Sequence, residues 1–248
     1  MLKYQQIKLS YVVPVYLDQN LDALHQLLKT YENYNASLLK QIHFIFVDDH
    51  SPVEVKIPKN CKLNYTLAKI STNIIWNQGG ARNLGVHLAK SQKMLLTDLD
   101  HTFPESVFEF LIKAKVPNHI FTFKRIRDNE VTMPHFNTFF LSKSTFYKSL
   151  GVDEEFCGHY GHEDVFFIEF QKRLGTKLYT YKHQTLFSHE HKNSKQPQHQ
   201  LHRDSSITKP LFDAKCNILK DKNRDPFDAH SRLFLNFEWH QVEEHIKL

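Results

Sequence analysis

The sequence predicts an α/β fold: a mixed, mostly parallel sheet flanked by helices, with a helical C-terminal tail. Three observations predict it. Short apolar runs recur at Leu9–Val13, Gln41–Val47 and Met94–Thr97, as in strands covered on both faces. Stretches with apolar residues at helical spacing separate them. The 248 residues are 41% apolar, with 20 Phe and 10 Tyr, enough for a sizeable core.

The elements follow in order. Leu9–Tyr16 reads as a first strand, ended by Pro14. Asp18 or Asn20 caps a helix that places Leu21, Leu24, Leu27, Leu28 and Tyr31 on one face. Gln41–Val47 and Leu63–Ile70 are the second and third strands. Ala81–Lys90 is a helix, and Met94–Thr97 the fourth strand. Strand–helix alternation of this kind builds a parallel sheet. Thr102-Phe-Pro-Glu105 has the form of a capping box before a helix through Phe108, Leu111 and Ile112. His119–Lys124 is a strand, Arg125–Glu130 a polar loop, Asn137–Lys143 a strand and Ser144–Leu150 a short helix. A helix from Glu163 to Leu174 ends at Gly175, and Thr180–Phe187 is a last strand. Gln196–His202 reads as a linker, with helices over Ile207–Leu219 and Asp228–Ile246 beyond it. One domain over 1–195, split near 101, plus a 196–248 extension is expected.

The formal net charge of +5, with 17 His, suits anionic small ligands or an acidic surface. No basic run interleaves with aromatics, so nucleic acid is not expected as a partner. Cys61, Cys157 and Cys216 are odd in number and lack metal-ligand spacing, which fits reduced thiols. The N-terminus is polar and no apolar run has spanning length. Cytoplasmic residence, or peripheral attachment at the inner membrane face, is the expectation. Phe234, Phe237 and Trp239 give the tail apolar surface to pack back on the domain, or to meet a membrane or a second copy.

Three polar clusters fall at the carboxyl ends of the predicted strands: Pro14-Val-Tyr16, Asp48-Asp49 and Asp98-Leu-Asp100. Open α/β sheets bind ligands there. Asp98 and Asp100, spaced i, i+2 beside a buried strand, form a seat for a divalent cation carrying phosphate oxygens. Gly79-Gly80 precede a helix whose first turn holds Arg82, which together form an anion site. The spacing is neither a dinucleotide fingerprint nor a Walker loop.

Val13-Pro-Val-Tyr16, Val47-Asp-Asp-His-Ser51, Asn77-Gln-Gly-Gly-Ala-Arg-Asn-Leu-Gly85 and Leu96-Thr-Asp-Leu-Asp100 resemble the successive motifs of family 2 glycosyltransferases. The resemblance implies a GT-A fold and a nucleotide sugar, UDP-linked by expectation. It places Tyr16 and Asp49 at the nucleobase with Asp48 nearby, Pro14 among the substrate contacts, and Arg82 near the diphosphate. It places Asp98 at the ribose or metal and Asp100 on the metal, Mn2+ or Mg2+.

Gly151-Val-Asp-Glu-Glu-Phe-Cys-Gly-His-Tyr-Gly-His-Glu-Asp-Val165 is a Gly-rich loop delivering Glu163-Asp164 to a helix start. A carboxylate there stays ionised and can act as a general base. The segment resembles the G-W-G-x-E-D region of chondroitin-polymerase and β-1,4-galactosyltransferase types. That resemblance implies Asp164 as base, with Glu163 and Tyr160 at an acceptor glycan or lipid-linked sugar. His159-Tyr160 and His162 stand in place of the family's Trp and Gly, which puts the acceptor's identity in question. Ser188-His-Glu-His-Lys-Asn-Ser-Lys195 offers a further metal ligand, His189 or alternatively His191, while Lys192 and Lys195 are candidates to cover a diphosphate. The function expected is metal-dependent inverting sugar transfer. Two alternatives stand beside it. Leu95–Thr102 also resembles the haloacid-dehalogenase D-x-D-x-T, with Asp98 as phosphatase nucleophile and Asp100 as acid. The chain can also bind nucleotide or glycan without catalysis.

Overall fold

A computed structural model describes residues 4–189 and 199–247. Its strands are β1 (Leu9–Val15), β2 (Ile42–Asp48), β3 (Tyr65–Ile70), β4 (Lys93–Leu96) and β5 (His101–Thr102). They continue with β6 (Ile120–Arg127), β7 (Glu130–Thr132), β8 (Phe139–Ser142), β9 (Leu178–Ser188) and β10 (Trp239–His245). The helices are α1 (Asp22–Glu32), α2 (Ala36–Leu39), α3 (Gln78–Leu88), α4 (Glu105–Lys113), α5 (Lys143–Lys148), α6 (Glu163–Arg173) and α7 (Thr208–Lys220).

All strands join one sheet in the order β10-β3-β2-β1-β4-β8-β6-β9-β5, with β7 on β6. The β3-β2-β1-β4 half is parallel throughout, and β10, β8, β7 and β5 add antiparallel pairings. Every residue of β1, β2 and β4 is buried, because helices cover both faces. Leu9, Tyr11, Val13 and Val15 face one core with α1, α2 and α4, while Val12 faces a second core with α3, α5 and α6. Alternate side chains on a strand point to opposite faces, which yields the two layers.

Pro14 does not end β1. The β1–β4 ladder runs from Ser10 to Val12, so the amide that proline lacks falls on the side where pairing has already stopped. Gly85 lets α3 lie on β1, since a Cβ there would sit 2.2 Å from Val12 Cγ1. Asn20, not Asp18, steadies the start of α1 by accepting from the Asp22 amide at 2.9 Å.

Three expectations are corrected. The capping box before α4 does not form: Pro104 is the cap position without a side-chain bond, and Glu105 Oε1 instead accepts from the Asn35 amide at 2.7 Å. The polar stretch 125–130 is not a loop but the end of β6 and a hairpin into β7. Asp128 and Asn129 both take positive φ, as a two-residue type I′ turn requires. The expected helix over Asp228–Ile246 is a 3-10 turn followed by β10, which pairs antiparallel with β3. The C-terminal stretch thus adds a strand to the sheet, while α7 matches its expected helix. Phe234, Phe237 and Trp239 pack onto the second core. Lys215 of α7, itself buried, reaches Asp153 Oδ2 at 2.8 Å, and Ser231 also bonds Asp153. No helix among the described residues is long and apolar enough to cross a membrane.

Candidate active site

The carboxyl ends of the parallel strands open into a cleft. Pro14, Tyr16, Asp49, Asp98, Asp100 and Tyr160, all singled out in the sequence, line it together.

Asp49 is buried, and its Oδ1 has no hydrogen-bond partner among the described residues. Burial and the neighbouring Asp48 carboxylate push its pKa up to about 7. Asp48 does not reach the cleft. It accepts from the Ser51 amide at 2.8 Å and pairs with Lys69 at 3.3 Å, so it braces the turn after β2.

Arg82 lies behind the cleft, not in it. Its side chain is 1% exposed, and Nη2 donates to Asp98 Oδ1 at 2.6 Å. It also reaches the Asn137 carbonyl at 3.3 Å, and Gln78 Nε2 donates to the same Asp98 oxygen at 2.7 Å. The arginine expected at a phosphate thus aims the D-x-D.

Asp98, Asp100 and His101 each bring one ligand atom within 4.8 Å of the others. Two hard oxygens and an imidazole nitrogen form a chemically sound donor set for a divalent cation. His189 adjoins the D-x-D: its amide donates to the Asp100 carbonyl at 2.8 Å, and Nε2 lies 2.8 Å from Thr102 Oγ1. His191, Lys192 and Lys195 lie outside the described residues.

Glu163 opens α6. Its pKa rises to about 7, through burial first and then Asp164, with Arg82 opposing the shift. The Asp98 charge adds a smaller push in the same direction. Asp164 follows it in the first turn of α6, and its Oδ1 accepts from the Val165 amide at 2.7 Å. His162 turns away from the cleft: Nδ1 meets Thr208 Oγ1 at 2.9 Å, and its ring stacks on Phe212 at 5.0 Å. It anchors α7.

Sequence reasoning missed one wall altogether. His199, Leu201 and Arg203, from the stretch read as a linker and just beyond it, line the cleft as a strap. Gln200 donates its amide to Asp18 Oδ2 at 2.6 Å, and Trp76 Nε1 donates to the His202 carbonyl at 3.0 Å. The His199 ring sits edge-on to Tyr16 at 5.9 Å and Trp76 at 5.1 Å. Arg203 lies over Tyr160 at 6.0 Å. Trp76 holds a left-handed φ of 56°, costly for a bulky residue, which places its indole against Tyr160 at 4.8 Å. Its position directly before Asn77 was the available signal. His135 and Asn137, ahead of β8, also line the cleft.

No protein-family model and no curated protein sequence matches the chain. Solved structures do. S. aureus TarS 1–349 in complex with UDP-GlcNAc matches with a TM-score of 0.64 at 14% identity, covering 90% of this chain and 69% of that one. The mannosyltransferase PcManGT from Pyrobaculum calidifontis, in complex with GDP-Man and Mn2+, matches at 0.57 and 12% identity, covering 89% and 66%. The fold is of the GT-A type. A longer TarS structure matches at 0.59 and 14% identity over 90% of this chain, which spans 41% of it.

Proposed function

We propose that this chain transfers a sugar from a nucleotide sugar to an acceptor hydroxyl. The observation that carries the reading is the convergence of Tyr16, Asp49, Asp98, Asp100 and Tyr160 on one cleft, at the sheet edge where open α/β folds bind ligands. The kindred folds of structures holding UDP-GlcNAc and GDP-Man support the donor class.

In this reading Tyr16 packs on the nucleobase, and the unpartnered Asp49 Oδ1 accepts one of its N–H groups. Asp98 and Asp100 would hold Mn2+ or Mg2+, which when bound offsets charge on the departing diphosphate. Arg203, a cation on the cleft wall, adds positive charge on the strap side. Tyr160 packs against the acceptor. Asp164 takes the acceptor hydroxyl proton as that oxygen attacks the anomeric carbon from the face opposite the diphosphate, giving inversion. Glu163, near neutrality in pKa, hydrogen-bonds the acceptor beside it. Holding both substrates in one cleft supplies orientation. A UDP-sugar is the first donor to try, with a glycan or lipid-linked acceptor.

The test is a thermal-shift panel of UDP- and GDP-sugars with Mn2+, followed by nucleotide release with candidate acceptors. Stabilisation by a sugar nucleotide, lost in Asp49→Ala, is expected. A panel in which none stabilises the protein overturns the reading. Transfer by Asp164→Asn at near wild-type rate removes Asp164 as the base.

A further inference from the structure

We infer that the β6–β7 hairpin and the turn after it form a docking face for an anionic lipid surface, set beside the mouth of the cleft. The inference rests on the transferase reading above and narrows its acceptor to a sugar carried on a lipid.

The strand registers place the residues. Val131 of β7 lies opposite Ile126 of β6, and Ile126 lies opposite Phe187 of β9. Residues opposite one another share a face of the sheet, so the three form one row. Alternation puts Lys124 on the same face, and turns Arg125, Arg127 and Glu130 to the other. Met133 and Phe136 follow directly in the turn after β7. Val131 is 63% exposed, Met133 77% and Phe136 50%. Together with Phe187 they belong to no buried core among the described residues. Single exposed apolar residues are ordinary, but a row continued by two more is an interaction surface.

Three observations favour lipid as the occupant. The first is charge. Lys124 is exposed on the apolar face and has no ion pair among the described residues. Glu130 lies on the opposite face, Asp128 at the tip is 4.0 Å from Arg127 Nε, and the whole chain carries +5. Apolar side chains beside a free cation suit the boundary of an anionic bilayer. The second is size. A stable protein interface uses about 20–30 residues a side, far more than this row and turn. With three residues, β7 is also a short edge for pairing with another strand. The third is position. His135 and Asn137, in the same turn as Met133 and Phe136, line the cleft. A bilayer meeting that turn brings a lipid-carried sugar to the cleft mouth. The aromatic residues of the tail are spent otherwise, packed onto the second core.

The test is sedimentation of the full chain with phosphatidylcholine vesicles, plain or containing phosphatidylglycerol. Wild type is expected to bind the anionic vesicles and to come off in high salt. Met133→Ser/Phe136→Ser should weaken partitioning at least about 10-fold, since two apolar side chains leave the interface. Lys124→Gln should weaken binding about 5-fold on anionic vesicles and leave plain ones unchanged. Val116→Ser, at an exposed apolar residue between α4 and β6, should bind as wild type does. All these variants should keep the wild-type melting point and its rise with a sugar nucleotide, because none lines the cleft. No vesicle binding by wild type, or undiminished binding by the double variant, overturns the inference and leaves transfer to a soluble acceptor standing. A wild-type dimer that becomes monomeric in the double variant, without vesicle binding, gives the face to a second copy and overturns it as well. Vesicle binding that needs Met133 and Phe136, with no stabilisation by any sugar nucleotide, upholds the docking face and removes the transferase reading.

Discussion

Asp153 is the residue on which the tail's attachment turns, and Asp153→Ala measures it. Its side chain is fully buried and pairs with Lys215, which is 7% exposed. It also accepts from the Glu155 amide at 3.1 Å and the Ser231 amide at 3.2 Å. Removing one partner of a buried pair strands the other, at a cost of about 3–5 kcal/mol. Lys215 keeps Glu155 at 2.6 Å and the Ala229 carbonyl at 2.9 Å, which argues for the lower end. At about 3 kcal/mol and 2–4 °C per kcal/mol for a chain of this size, the melting midpoint falls by roughly 6–12 °C. Burial alone would raise the Asp153 pKa, but His230, Lys215 and Ser231 outweigh it and hold it below the ordinary value. A depressed folded pKa means its stabilisation is present above the unfolded value and is lost as pH falls through the folded one. The wild-type advantage over Asp153→Ala therefore shrinks only in acid. Calorimetry across pH, with limited proteolysis of residues 205–247, reads both effects. A midpoint within about 2 °C of wild type at neutral pH, with the tail equally protected, refutes the argument.

Three further outcomes are expected. Glu163→Gln removes a carboxylate whose raised pKa makes its ionised form a burden on the fold as pH rises from about 4.5 toward 7, so the variant should melt higher than wild type at pH 8 while transferring sugar more slowly; thermal scans and kcat at matched pH check both. Asp100→Asn should cost at least about 10-fold in Mn2+ affinity with little loss of stability, seen by titration and melting, because a cation site loses a charged ligand. Arg203→Gln should raise the KM for the nucleotide sugar and leave the free protein's melting point unchanged, since Arg203 is exposed on the strap.

The sheet and its order of elements were legible because buried parallel strands announce themselves as unbroken apolar runs. The lining of the cleft was legible where a cluster followed such a strand, as with Asp49, Asp98 and Asp100. It was opaque in three physical circumstances. A charge needed to hold another charge looks, in sequence, like a charge meant for a ligand; Arg82 and Asp48 both mislead in this way. An edge strand with polar side chains on both faces lacks the alternation that marks a strand; in β10 five of the seven residues are exposed. A segment with little regular structure, such as His199–Arg203, carries no periodicity, and its anchors to Asp18 and Trp76 span more than a hundred residues.

The antiparallel half of the sheet explains why the cleft has a second side. A parallel strand delivers its carboxyl end to the ligand edge, which accounts for Tyr16, Asp49 and Asp98. β8 runs against β4, so it is the amino end of β8 that reaches the same edge. The residues to expect there are those preceding the strand, and His135, Asn137 and Thr138 stand in that place. The Asn137 side-chain Oδ1 accepts from Arg82 Nη1 at 3.4 Å and so steadies Arg82, and Thr138 steadies His101. The sheet's change of direction thus supplies the props for the D-x-D, which predicts that Asn137→Ala weakens Mn2+ binding without touching a ligand. Equal affinity in that variant would show that the carboxylates hold their positions unaided.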